Sequence, residues 1–261
     1  MAVRQRPERD ARGRHFLRSS QLAAELVRDA GVQPGDAVVD IGAGTGVLTR
    51  ALVDAGATVT ALELDPVLAG GLRRRFADRE VRVVEANACR WSWPREHFKA
   101  VANLPFSGSG AILESLLRDP SRGLLQADVI VQWELAEKQS SVWPATLRSV
   151  YWRAWFELAI VARLSRRAFT PAPSVDAAVL RFRRHARPLV PIGAHAAYRR
   201  FLASAFHSRV PLTRALRGRV TPRELRRLAP IIGFDASSYP RDLDARQWAS
   251  VFTFAQARRR T

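Results

Sequence analysis

Apolar positions along the chain fall first into a helical spacing. From Ser20, Leu22, Leu26 and Val27 share one face, and Gly31 with Pro34-Gly35 stops the segment. Short apolar runs then alternate with amphipathic stretches. The runs Ala37–Ile41, Thr58–Leu62, Val81–Glu85, Ala100–Asn103 and Val129–Gln132 read as strands, and Gly46–Ala55, Pro66–Phe76 and Gly110–Leu117 read as helical crossovers. Strand–helix alternation of this kind implies right-handed βαβ units and a mostly parallel sheet. A Trp-rich stretch with helical tendency, Glu134–Trp155, precedes two longer β-like runs, Phe156–Leu164 and Ala177–Arg183. The segment Ser165–Asp176 between them is too short for a helical crossover, so the two are expected to form an antiparallel pair closing the sheet.

Beyond about His185 the strand pattern stops. Ala194–Phe206 is helical by spacing, with Tyr198, Phe201, Leu202 and Ala205 on one face. Thr221-Pro222-Arg223-Glu224 has the form of a capping box with proline at the first helical position, and Asp244 with Gln247 is a second, weaker cap signal. The expected organisation is a basic arm over residues 1–13, an α/β domain over 14–186 and a small all-helical domain over 187–261.

Charge adds a partner class. The 261 residues carry a formal net charge of +18, nearly all of it from arginine. Guanidinium forks match phosphate geometry, so a polyanion, nucleic acid above all, is the expected partner. GC-rich coding favours Arg over Lys but leaves the net excess unexplained. Arginines flank the last strand pair (Arg163, Arg166, Arg167, Arg181, Arg183, Arg184, Arg187) and recur from Arg199 to Arg219; as a set they are expected to line a cleft between domains. Of Trp91, Trp93, Trp133, Trp143, Trp152 and Trp155, most are expected to pack rather than to stack on bases. No run of ~18 uncharged apolar residues exists, and the charged N-terminus lacks the apolar core of a secretory signal. One cysteine, Cys89, excludes an internal disulfide, and the five scattered histidines give no metal-ligand spacing. A cytoplasmic, metal-free protein is expected.

Two motifs carry chemistry. In Asp40-Ile41-Gly42-Ala43-Gly44-Thr45-Gly46 a buried strand runs through a glycine turn into a helix. Glycine admits a ligand close to the backbone, and the helix start offers free N–H groups. The spacing differs from the dinucleotide G-x-G-x-x-G pattern. The next strand ends at Glu63, placed to take both hydroxyls of a ribose; Asp65 is the competing carboxylate, and Glu63 is preferred because it directly follows Val59–Leu62. A third strand ends near Glu85-Ala86-Asn87-Ala88, where Asn87 can read an adenine edge. Gly42, Gly44, Gly46, Glu63, Asn87 and Ala88 therefore describe a crevice for a nucleoside cofactor.

The second motif is Asn103-Leu104-Pro105-Phe106. The exocyclic nitrogen of adenine is a poor nucleophile because its lone pair is delocalised into the ring. Acceptors on both amino hydrogens localise that pair, and the Asn103 side-chain oxygen and Leu104 carbonyl can supply them. Pro105 stiffens the loop, and Phe106 offers a stacking face to a flipped base. Catalysis of this sort is positioning and electrostatics, with no strong general base required.

These motifs, with Ala61-Leu62-Glu63-Leu64-Asp65 and the run FTPAPSVDAAVLRF (169–182), resemble the rRNA adenine N6-methyltransferase family over about residues 14 to 255. The resemblance implies a class I Rossmann-like methyltransferase sheet of seven strands, mostly parallel with the last antiparallel, carrying a helical RNA-binding domain. It implies S-adenosyl-L-methionine as cofactor, held by Gly42, Glu63, Asn87 and Asn103 and by an N-terminal element that here reads Gly13-Arg14-His15-Phe16-Leu17. His15 stands where the family has asparagine, Leu17 keeps the apolar position, and Asn87 stands where an acidic residue is usual. The continuation Ser107-Gly108-Ser109-Gly110-Ala111-Ile112-Leu113 is similar to the Erm branch of actinobacterial type. That branch implies mono- or dimethylation of one adenine in 23S rRNA, naked or before assembly, with resistance to macrolides, lincosamides and streptogramin B; a monomer is expected. A KsgA-like small-subunit dimethyltransferase, a non-catalytic RNA-binding relative and, more weakly, a DNA adenine methyltransferase are the alternatives. Phe106 and the SGSGAIL continuation argue against the first, the intact motifs against the second, and Leu104 against the third.

Overall fold

The computed structural model describes residues 15–207 and 209–258. The basic arm expected over 1–13 lies outside them. In chain order the elements are β1 (Phe16–Leu17), α1 (Ser20–Asp29), β2 (Ala37–Ile41), α2 (Val47–Asp54), β3 (Thr58–Glu63), α3 (Pro66–Arg75), β4 (Val81–Glu85), β5 (Phe98–Asn103), α4 (Ser109–Leu117), β6 (Leu124–Gln132), α5 (Trp133–Ser140), α6 (Leu147–Arg153), β7 (Phe156–Leu164), β8 (Phe169–Thr170), β9 (Ala177–Arg184), α7 (His195–Phe206), α8 (Leu212–Ala215), α9 (Pro222–Ile232) and α10 (Ala245–Ala257). Contacts divide the chain into two compact units. The first holds residues up to Arg118, Arg122–Glu137 and Ala159–Arg183; the second holds Asp119–Ser121, Lys138–Leu158 and the chain from Arg184 on.

Seven strands form one sheet in the order β4-β3-β2-β5-β6-β9-β7. β2 pairs in parallel with both β3 and β5, β3 with β4, and β5 with β6, whereas β9 runs antiparallel to β6. The last strand is thus reversed, as expected, and it is inserted between β6 and β7. After β2 the chain builds outward through β3 and β4, then returns to place β5 on the other side of β2. That reversal is a topological switch point, and it opens a crevice beyond the carboxyl ends of β2 and β5.

Local sequence accounts for the elements around this crevice. β2 is apolar but for Asp40, and all of it after Ala37 is buried, as a central parallel strand requires. α1 begins where the Ser19 hydroxyl accepts the Leu22 N–H, and α3 where the Asp65 carboxylate accepts the N–H groups of Val67 and Leu68, with Pro66 at the first turn. Ile41, Leu52 and Leu62 are fully enclosed, each contributing about 1.5–3 kcal/mol of burial. β6 starts at Leu124, five residues before the apolar run suggests, because Gln126 and Asp128 interrupt the pattern yet lie inside the ladder. Asp128 sits opposite Arg181 on β9 and pairs with it at 2.6 Å. Burial pushes the Asp128 carboxyl up, and the Arg181 hydrogen bond opposes the shift. Arg181 also donates to the Asp29 carbonyl at the end of α1, so it is a buttress of the sheet and not a free phosphate contact.

A small sheet is invisible to the periodicity. Phe16 and Leu17 pair antiparallel with Thr170 and Phe169, across some 150 residues of chain. This brings the N-terminal segment against the start of the FTPAPSVD run. In the second unit, Tyr198 and Phe201 of α7 pack edge-on against Phe252 of α10 at 5.0 and 5.4 Å. Both expected capping boxes are formed, at Thr221/Glu224 and Asp244/Gln247. Trp93, Trp152, Trp155 and Trp248 are buried in packing roles, and Trp143 is the exposed exception. Among the described residues no helix is long and apolar enough to cross a membrane, and no cluster of three potential metal ligands occurs.

Candidate active site

A cavity of about 380 Å³ lies at the switch point, within the first unit. Its wall is built from five places in sequence: the glycine turn after β2, the end of β3, the end of β4, the turn after β5 and the strand entry at His15-Phe16. Of the residues expected to hold a cofactor, His15, Gly42, Gly44, Glu63, Asn87, Ala88 and Asn103 line it. Asp65, the weighed alternative to Glu63, is also on the wall, but its carboxylate is spent on capping α3.

Glu63 is held by the backbone around it. Its Oε2 accepts the Gly44 N–H at 2.8 Å, and its Oε1 accepts the N–H groups of Leu64 and Asp65 at 2.9 Å. Three donors fix the carboxylate and fill both sites on Oε1, and Oε2 retains lone-pair capacity for a hydroxyl. Gly44 adopts a left-handed φ of +56°, and a Cβ there would meet the Phe16 ring at 2.8 Å. The turn therefore needs glycine both for its conformation and for the aromatic packed on it.

Asn103 ends β5 on the cavity wall. Its Nδ2 donates to the His15 carbonyl at 2.6 Å, which fixes which way the amide points. Its Oδ1 is buried and has no hydrogen-bond partner among the described residues. A buried acceptor left in that state costs about 1–3 kcal/mol. Asparagine is therefore absent from position 15 without loss of the link to the site, because the backbone carbonyl of His15 makes it. The His15 ring is tied elsewhere: Nδ1 donates to the Pro171 carbonyl at 2.7 Å. The Leu104 N–H is donated to the Ile130 carbonyl on β6, and Leu104 and Pro105 both reach the cavity. The Pro105 carbonyl accepts from the Gly108 N–H and the Ser109 hydroxyl, closing the turn into α4.

Three expected site residues stand off the cavity. Leu17 is buried in the apolar cluster that includes Leu26, Val27 and Phe169. Gly46 lies at the start of α2, where a Cβ would strike Leu72 and Phe76 of the first unit's core; its lack of a side chain serves helix packing. The Phe106 ring is 9% exposed, with His15 at 5.0 Å and Phe169 at 6.2 Å. It packs in an aromatic cluster with His15 and Phe169 and is not among the residues that line the cavity. Phe16, Leu64 and Ser107, which belong to the motifs but were given no role of their own, also line it, and so does Cys89, which sequence reasoning omitted. Cys89 is foreshadowed by its place just after the strand-end motif.

Beneath the glycine turn, Asp40 is fully enclosed. The Thr49 hydroxyl donates to its Oδ2 at 2.6 Å. Burial lifts its carboxyl to about 7; the Thr49 hydrogen bond opposes the shift and the Glu63 charge adds to it. Unfolded, an aspartate titrates near ~3.9. Between these values the folded chain holds a proton that the unfolded chain has lost, so Asp40 lets stability fall as pH rises from about 4 to about 7, and no further above that. Asp40→Asn keeps an acceptor for Thr49 and removes the titration. Denaturant melts are expected to show a shallower loss of stability for the variant across that window, by on the order of a few kcal/mol; parallel curves would show that Asp40 does not titrate there.

The chain also resembles proteins of known activity. The family model described as "Ribosomal RNA adenine dimethylase" matches residues 7–256. The mycinamicin-resistance protein MyrB of Micromonospora griseorubida is 33% identical over 92% of this chain and 78% of its own. The ribosomal RNA small subunit methyltransferase A of Thermosynechococcus vestitus is 33% identical over 92% of this chain and 93% of its own. The crystal structure of the 23S rRNA methyltransferase ErmE superposes with a TM-score of 0.78 at 27% identity, covering 92% of this chain and 99% of that one.

Proposed function

Since this chain belongs to the ribosomal RNA adenine dimethylase family and is an rRNA adenine N6-methyltransferase, we propose that it methylates one adenine of 23S rRNA from S-adenosyl-L-methionine and so confers resistance to macrolides, lincosamides and streptogramin B. The observation that carries the chemistry is the oriented, partnerless Oδ1 of Asn103 on the cavity wall. The Erm-type target rests on the SGSGAIL continuation and on the likeness to ErmE and MyrB. The small-subunit relative of Thermosynechococcus is matched over nearly its whole length as well, so the choice of ribosomal subunit is the part most in need of experiment.

The cavity suits the cofactor. Glu63 has the charge and an open site on Oε2 for a ribose hydroxyl, the turn at Gly42 and Gly44 leaves room for the amino-acid portion, and Asn87 offers an amide to an adenine edge. When bound, S-adenosyl-L-methionine supplies a sulfonium methyl as the electrophile. The residues of the chain do the rest by placement. Asn103 Oδ1 and the Leu104 carbonyl take the two N6 hydrogens of the target adenine, which frees the nitrogen lone pair for attack in the direction of the methyl. His15 keeps Asn103 in the required orientation. Phe106 and Phe169 stiffen the turn from behind. The basic helical unit and the N-terminal arm supply phosphate contacts, and the enzyme acts as a cytoplasmic monomer.

Expression in a macrolide-sensitive bacterium tests the resistance reading. Raised tolerance to all three drug classes is expected, and its loss with Asn103→Ala; unchanged sensitivity with active enzyme present would remove the 23S target. RNA affinity should also fall steeply with salt, by about 10³-fold or more between 50 and 200 mM if six or more phosphates are contacted. A flat salt response would mean that the +18 charge is not an RNA-binding device.

A further inference from the structure

Arg163 on β7 does not look outward as a free cation. Its Nε and Nη2 both donate to Asp176 Oδ2, at 3.2 and 2.9 Å. Its guanidinium carbon lies 4.6 Å from the centre of the Trp133 ring. Asp176 is itself fixed: its Oδ1 accepts the Arg166 N–H and its carbonyl accepts the Trp133 N–H. One aspartate thus locks an arginine against a tryptophan, all within the first unit. The Arg163 side chain is nevertheless 63% exposed.

The arrangement is a weakened phosphate clamp, because a carboxylate already occupies the Nε/Nη2 edge and balances the charge. What remains is a flat, rigid, exposed face. Bases stack on guanidinium planes as they do on aromatic rings, and a pre-locked plane loses little entropy when it does so. Its position suits that use. Asn103 on β5 is level with Ile130 on β6. β6 ends two residues further on at Gln132, about 7 Å along the sheet, and Trp133 follows. The platform therefore stands at the same carboxyl edge as the catalytic turn, displaced toward β6 and β9.

We propose that the exposed guanidinium face of Arg163, backed by Trp133 and locked by Asp176, is a stacking platform for an unpaired base flanking the target adenine. The inference rests on the reading of the chain as an enzyme acting on rRNA. Arg163 is a positioning residue in this account, and its substitution changes RNA affinity and KM more than kcat.

The test measures Kd for a 23S-derived stem-loop carrying the target adenine, with single abasic sites placed in turn at each flanking nucleotide. Arg163→Ala is expected to weaken binding about tenfold, and Arg163→Lys by a similar factor, because lysine keeps the charge but has no plane. At one flanking position the abasic RNA should weaken wild-type binding to the same extent and leave the alanine variant unaffected, since the stack is already gone. Retained S-adenosylmethionine affinity certifies that each variant is folded. Full rescue by lysine, or losses that multiply at every abasic position, would overturn the platform. The readout is binding, so absence of methyl transfer would sink the enzymatic reading while these ratios still decided the platform.

Discussion

Replacing Asn103 by alanine is expected to cut methyl transfer to rRNA by about 10²-fold or more while S-adenosylmethionine affinity changes little. The lost oxygen belongs to a wall residue whose amide the fold has oriented, and among the described residues it is a buried side-chain acceptor without a partner. In the proposed mechanism it stabilises the adenine nitrogen most as charge develops there, so the loss is expected in kcat. Asn103→Asp sharpens the point. It restores an oxygen but places another against the His15 carbonyl, 2.6 Å from the present amide nitrogen, and so repels the group that orients the side chain. It should therefore remain strongly impaired. Single-turnover rates at saturating cofactor and RNA check this, and near-parental rates for the alanine variant would remove Asn103 from the mechanism.

The second large effect concerns Glu63. Glu63→Ala should weaken S-adenosylmethionine binding by about 10-fold to 10²-fold, the scale of one charged hydrogen bond or two. It should also lower stability by about 1–3 kcal/mol, because the N–H groups of Gly44, Leu64 and Asp65 lose their shared acceptor. With cofactor raised to saturation, turnover should recover toward the parental value, since Glu63 does not touch the reacting nitrogen. Titration calorimetry, thermal melts and kcat separate the three effects. A variant that binds cofactor normally would assign the ribose to another residue, and Asp65 is a weak substitute because it caps α3.

What was legible in the sequence follows from the range of the forces involved. The strand–turn–helix units around Gly42, Glu63 and Asn103 are local, and each is specified by an apolar run, a glycine or cap, and a following amphipathic stretch. The reversed last strand could be read because its connection is too short to cross over. The start of β6 could not, since Asp128 belongs in the ladder only by virtue of Arg181, 53 residues away. Nor could the pairing of Phe16–Leu17 with Phe169–Thr170, which involves two residues on each side. That pairing also sets the place of Phe106. Its ring is drawn among His15 and Phe169, a placement that the motif alone does not show. The Trp-rich region was ambiguous for a related reason: residues 138–158 pack with the chain beyond Arg184, and no local signal marks that.

The central claim is most directly tested by methyl transfer from labelled S-adenosylmethionine to naked 23S rRNA and to intact 30S subunits in parallel, with mass spectrometry locating and counting the methyls. The account predicts label at a single adenine of the naked 23S rRNA, recovered as N6-methyladenosine or N6,N6-dimethyladenosine, and abolished by Asn103→Ala. Label confined to 30S subunits would contradict the 23S target and make this a small-subunit maturation enzyme. No label in either RNA, with cofactor still bound, would contradict the account of the site itself.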